Sequence, residues 1–221
     1  MGRGAGRGGI GVTGPAAALL AVTAVAAVID WWAVARDRRR VEYVFKPLTL
    51  VALTATALAL DPGDPAVRAW FVVALVLSLA GDVLLMVPPD LFVPGLAAFL
   101  LAHVAYVVGL ALAGVTPAAV LVGVAVVGVA FVAVGVPLLR GARRAEPALV
   151  PPVLAYMVVI SAMLATAAGT GQALAVAGAG LFYLSDALIG WGRFVTAHDR
   201  ARLAVMVTYH AGQTLLVLSL I

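Results

Sequence analysis

Residues 67–88 read VRAWFVVALVLSLAGDVLLMVP. The stretch matches the roughly 20 apolar residues that one bilayer crossing needs. Its charged residues are Arg68 at the start and Asp82 near the end. Apolar positions run continuously instead of alternating, which excludes a strand of a membrane barrel. An aspartate inside such a run costs about 2.5–3.5 kcal/mol on insertion scales and usually faces the interior of a helix bundle. The stretch therefore reads as a membrane helix with one face turned toward other helices.

The same pattern recurs along the chain. Apolar spans fall near residues 14–35, 44–60, 67–88, 92–113, 118–139, 147–168, 172–192 and 201–220. Turn chemistry separates them: Asp61-Pro62-Gly63-Asp64-Pro65, Pro88-Pro89-Asp90, Gly114-Val115-Thr116-Pro117 and Gly169-Thr170-Gly171. The 221 residues are 64% hydrophobic and 11% charged, with a mean hydropathy of +1.14. A soluble domain carries roughly a quarter charged residues. The chain is thus expected to be an all-α membrane protein, a bundle of about eight transmembrane helices within residues 14–221. Residues 1–13 read as a disordered Gly/Arg-rich tail.

Arg3 and Arg7 ahead of an apolar run, with Ala24-Val25-Ala26 beyond, formally resemble a signal peptide. Loop charges argue against cleavage. Eleven of the fourteen basic residues fall in alternate loops on one side: Arg36, Arg38, Arg39, Arg40 and Lys46, then Arg140, Arg143 and Arg144, then Arg193, Arg200 and Arg202. Arg3, Arg7 and Arg68 lie on the other side. The positive-inside rule then puts both termini outside the cytoplasm. It also accounts for the net charge of +4 without a nucleic-acid partner. With no cysteine, disulfides and thiolate chemistry are excluded. Neither a Gly-x-Ser-x-Gly elbow nor a phosphate-cradling Gly-rich loop occurs.

Asp30, Asp82, His103, Asp186 and His210 within the spans, with Lys46 at a helix start, are the candidate ionisable residues. Given the orientation, the three aspartates lie near the cytoplasmic ends of their helices, with the histidines nearer mid-membrane. Helical spacing adds polar companions: Ser78 with Asp82, Phe99 and Tyr106 with His103, Tyr183, Gly190 and Arg193 with Asp186, and Gln213 with Tyr209 and His210. Ser185 directly precedes Asp186. Plainer readings stand beside these. Asp30 beside Trp31-Trp32 reads as an interfacial anchor, Lys46 as a snorkelling lysine, and the histidines as interhelical hydrogen-bonders. Tyr106, Tyr156 and Tyr209 read as packing residues, and Arg193, Arg200 and Arg202 as topology determinants. Asp82 and Asp186 resist a plain reading because no basic residue is close to them in sequence. Each is followed by a histidine, 21 and 24 residues on, a recurrence that would divide the bundle into two four-helix halves.

Two carboxyl groups in a low-dielectric interior suit acid–base chemistry, one protonated and the other ionised. Two alternatives share the residues: a metal-dependent hydrolase built on the His/Asp cluster, though no compact ligand spacing is present, and a proton-coupled transporter. Five segments carry a resemblance: Lys46-Pro47-Leu48, Ser78–Met86 (SLAGDVLLM), Phe99–Tyr106 (FLLAHVAY), Phe182–Ile189 (FYLSDALI) and Tyr209–Gln213 (YHAGQ). Together, over about residues 43–216, they resemble the lysoplasmalogenase (YhhN-like) membrane family. That resemblance implies an eight-helix hydrolase that cleaves the vinyl ether of lysophospholipids to a fatty aldehyde and a glycerophospho-headgroup. No metal or other cofactor is expected. The resemblance implies Asp82 and Asp186 as the catalytic acids. Lys46, Ser78, His103, Tyr106, Tyr183, Ser185, Arg193, Tyr209, His210 and Gln213 are the expected supporting or substrate-binding positions. The partners are then the lysophospholipid and the surrounding membrane lipids.

Overall fold

Thr13 sets where the first helix begins. In the computed structural model, which describes residues 12–87, 91–196 and 201–221, its Oγ1 accepts the Ala16 amide at 3.2 Å and so caps α1 (Gly14–Ala35). The same hydroxyl donates to the Ala59 carbonyl at 2.8 Å, tying the start of α1 to the end of α2 (Arg39–Ala59). Asp37, with φ of 51°, makes the turn between them. Asp64 caps α3 (Pro65–Met86) through the Ala66 amide at 2.7 Å, and Pro65 occupies the first turn. There follow α4 (Phe92–Leu112), α5 (Pro117–Ala145), α6 (Pro147–Thr170), α7 (Ala173–Phe194) and α8 (Ala201–Leu218). A π-turn at Phe131–Gly135 interrupts α5, and α6 opens with a 3₁₀ turn at Pro147–Leu149.

The expected spans are all present, but two helices extend past them. α2 starts at Arg39 and α5 runs to Ala145, because charged turns rich in arginine continue each helix beyond its apolar part. Most of the Gly/Arg tail, residues 1–11, and the expected breaks at Pro88–Asp90 and around Arg200 lie outside the described residues.

Seven helices, α1 to α7, are long and apolar enough to cross a membrane. α8 carries Arg202, Tyr209, His210 and Gln213 and takes its place by packing. The chain is an integral membrane protein. Neighbouring helices pack in the order α1, α2, α3, α4, α6, α7, α8, and α8 closes the ring against α1. α5 stands outside this ring, laid along α6, with Leu121, Val122, Val129 and Val132 turned outward. Apolar side chains on such a face meet lipid tails at no hydrophobic cost. Of the two four-helix segments suggested by the recurring Asp/His pattern, the first puts all its helices in the ring and the second puts three.

Inside the ring the packing is aromatic and close. Phe71 and Tyr106 meet edge to face at 5.1 Å, and Phe182 meets Tyr209 at 5.3 Å and Phe99 at 6.1 Å. α7 and α8 touch through Gly178 and Gly212: a Cβ on either would sit 2.8–2.9 Å from the other's carbonyl oxygen. Small residues of this kind let membrane helices approach closely.

Candidate active site

Asp82 stands one turn after Ser78 on α3 and follows Gly81, where a Cβ would lie 2.6 Å from the Phe99 ring. The missing side chain lets α4 close over the carboxylate. Asp82 is fully enclosed, and Lys46 reaches it from α2, Nζ to Oδ1 at 3.1 Å. Tyr209 on α8 donates to its Oδ2 at 2.8 Å. Lys46 is itself buried, so the snorkelling reading gives way to a buried ion pair. Such a pair offsets the cost of placing either charge alone in the membrane interior.

Asp186 on α7 has different company. The Tyr156 hydroxyl on α6 donates to its Oδ2, and His103 Nε2 on α4 lies 3.6 Å from the same oxygen. His103 is enclosed between the rings of Phe182 and Tyr156, with centroids at 4.6 and 5.2 Å. Phe182 thus touches the rings flanking both carboxylates, His103 on one side and Tyr209 on the other. The Asp186 side chain is 11% exposed against 2% for Asp82. Asp186 is thus the more accessible of the two acids.

Asp186 and Tyr156 are the polar members of an otherwise apolar slot lined by Leu96, Phe99, Leu138, Val153 and Met157. Leu85, Phe92 and Ile189 are shared between this slot and a charged vestibule of about 510 Å³. Arg39, Glu42, Lys46, Arg193 and Arg202 line the vestibule. Arg202 grips Glu42 at 2.8 and 3.1 Å and Asp37 at 3.1 Å. Arg193 lies 3.0 Å from Glu146 and 3.9 Å over the Phe92 ring. These pairs join the α1–α2 turn, the α5–α6 turn and the ends of α7 and α8 into one rim.

The remaining expected residues fall into three situations. Tyr106 donates to Gln213 Oε1, and both are enclosed beneath the carboxylates. Ser78 is buried with no hydrogen-bond partner among the described residues, whereas Ser185 donates to the Val205 carbonyl at 3.1 Å and braces α7 against α8. Tyr183 borders a small cavity shared with Tyr156 and Asp186, and His210 Nδ1 accepts from Trp31 at 3.1 Å.

Several plain readings are corrected. Asp30 is not an interfacial anchor: it is fully buried, and neither carboxylate oxygen has a hydrogen-bond partner among the described residues. Tyr156 is more than packing, and no polar companion at helical spacing marks it in the apolar run of α6. Glu42 joins the site as well: Glu42 and Lys46 are one turn apart on α2 and face the same cavity. Among the described residues, no three His, Asp or Glu side chains come together as a metal-binding group.

Residues 41–220 match the model of the YhhN family. The chain belongs to the YhhN family. It is 37% identical to the human lysoplasmalogenase TMEM86B over 146 residues, which are 66% of this chain and 61% of that protein. It is 33% identical to the lysoplasmalogenase of Mycobacterium bovis over 177 residues, 78% of this chain and 67% of that protein. Against TMEM86B of Mus musculus it is 34% identical over 146 residues, 66% of this chain and 61% of the mouse protein. The chain therefore spans about three fifths of the length of its mammalian relatives. No solved structure matches it. The YhhN match takes in every expected site residue from Lys46 to Gln213 and leaves out α1, with Asp30 and Trp31.

Proposed function

We propose that this YhhN protein is a lysoplasmalogenase: a membrane-embedded hydrolase that cleaves the vinyl ether of a lysophospholipid to a fatty aldehyde and a glycerophospho-headgroup. The observation that carries the reading is Asp186, a carboxyl group at the wall of an apolar slot that adjoins a basic vestibule. A lysophospholipid has the matching parts, an apolar chain and a phosphate, with the scissile ether between them.

Hydrolysis of a vinyl ether begins with proton transfer to the β-carbon, which leaves an oxocarbenium ion. In our mechanism Asp186 supplies that proton, because it faces the slot and Tyr156 orients it. The carboxylate left behind takes a proton from the attacking water, so the residue returns to its starting form. The hemiacetal then collapses to aldehyde and alcohol, and the net reaction consumes one water. Asp82, paired with Lys46, is placed to favour the developing cation. The vestibule arginines and Lys46 bind the headgroup phosphate. Both termini lie outside, and the vestibule opens to the cytoplasmic leaflet.

The test is aldehyde release from a defined lysoplasmalogen by purified protein, with and without chelator. Asp186→Asn is expected to lower turnover by about 10²–10⁴-fold, the range for a lost general acid. Asp82→Asn is expected to follow it, with both proteins still folded. Near-wild-type release from both variants rules the mechanism out. Activity lost on chelation and regained with zinc would favour a metal-dependent hydrolase, and solute movement across sealed liposomes without aldehyde would favour a transporter.

A further inference from the structure

α1 lies outside the matched residues, yet it reaches the site. Trp31 is half-buried, and its indole Nε1 donates to His210 Nδ1 at 3.1 Å. The two rings lie 25° from parallel with centroids 6.3 Å apart. A neutral imidazole carries one proton, and a ring nitrogen that accepts an indole N–H cannot be the one that holds it. The proton is therefore on Nε2. His210 is 2% exposed, and its Nε2 has no hydrogen-bond partner among the described residues. A buried donor left without an acceptor is unfavourable, and native proteins keep few of them. Tyr209, the residue before it, holds Asp82, so this donor belongs to the same turn of α8 that grips a site carboxylate.

We infer that Trp31 is a positioning residue: it fixes His210 as an Nε2–H donor, and that donor takes an oxygen of the substrate's glycerol unit. The second half rests on the proposed substrate; the first rests on the protein alone. A mere strut between α1 and α8 would set the same tautomer but leave KM unmoved.

The experiment therefore reads both. The chain has three histidines, so nitrogen-15 labelling of histidine gives few signals, and His210→Gln assigns the one of interest. Wild-type protein is expected to show His210 with Nδ1 bare and Nε2 protonated. Trp31→Phe keeps an aromatic ring but removes the N–H, and is expected to give a mixture of tautomers. It should also raise KM for lysoplasmalogen by the inverse of the fraction of His210 that keeps Nε2–H, about twofold for an even mixture, while kcat changes less. Trp32→Phe, at an exposed neighbour, should alter neither. His210→Gln, which keeps a side-chain N–H, should retain a lower KM than His210→Leu.

A proton on Nδ1 in the wild type overturns the inference, as does wild-type KM in Trp31→Phe. If Trp31→Phe does not fold, the wild-type tautomer and the Gln/Leu pair still decide, and equal KM in that pair counts against the donor role. If wild-type protein releases no aldehyde, the proposed substrate fails, while the tautomer is still read on the free protein.

Discussion

At the scale of single residues, the two site carboxylates differ in how their charge is met. Asp82 has a cation at 3.1 Å and a phenol at 2.8 Å, while Asp186 has a phenol and an imidazole. Removing one partner of a buried ion pair leaves the other charge uncompensated, typically at a cost of about 3–5 kcal/mol. Lys46→Met alone is thus expected to lower thermal stability in detergent markedly. Lys46→Met combined with Asp82→Asn should recover much of that loss, since no buried charge is then unpaired. Equal melting temperatures for the single and double variants would show that Lys46 and Asp82 are not coupled. Tyr156→Phe tests the other carboxyl. In the proposed mechanism Asp186 acts first as acid and then as carboxylate, so losing this hydrogen bond should cut kcat by about 10–100-fold, with the fold intact. Residues of this kind were unevenly legible in the sequence. Asp82 and Asp186 stand out because a charge in an apolar helix has few structural excuses. Tyr156 does not, because a phenol is at home in a membrane helix and only the tertiary fold brings it to Asp186.

At the scale of elements, helix existence was readable and helix ends were less so. Apolar length marks the part of a helix in the membrane, whereas the arginine-rich turns of α2 and α5 obey helical hydrogen bonding and not hydropathy. The place of α5 outside the ring was not readable as position: its apolar run fits a lipid-facing helix and a ring helix alike. Close approach is another property of elements that composition hides. Gly178 and Gly180 are alike in sequence, but a Cβ at Gly178 meets the α8 backbone at 2.8 Å, and one at Gly180 meets nothing within 4 Å. Gly178→Ala is therefore expected to destabilise by about 1–3 kcal/mol through overpacking. Gly180→Ala should be neutral or stabilising by up to about 1 kcal/mol through helix propensity. Thermal unfolding of the two variants in the same detergent separates them, and similar shifts would mean that α7 and α8 are not held at glycine contact.

For the whole molecule, the decisive asymmetry is between its two faces. The ion pairs of Arg202 with Glu42 and Asp37, and of Arg193 with Glu146, gather the α1–α2 turn, the α5–α6 turn and the ends of α7 and α8 around the vestibule. Arg36, Arg38 and Arg40 lie exposed around the α1–α2 turn, and Arg140, Arg143 and Arg144 lie exposed in the last turns of α5 on the same face. Moving that many arginines across a membrane during insertion is what the positive-inside rule opposes, so the vestibule should open to the cytoplasm and the termini should not. The absence of cysteine makes this measurable with single thiols introduced one at a time. Arg143 lies exposed on the arginine-rich rim, and Gln172 lies exposed in the α6–α7 turn on the opposite face. In intact cells or spheroplasts, a membrane-impermeant maleimide is expected to label Gln172→Cys and to spare Arg143→Cys until the membrane is opened. The reverse pattern would turn the molecule over and place headgroup binding in the outer leaflet. Under the proposed function, the same helices and carboxylates would then draw a lysophospholipid from the outer leaflet, so orientation sets which leaflet supplies the substrate.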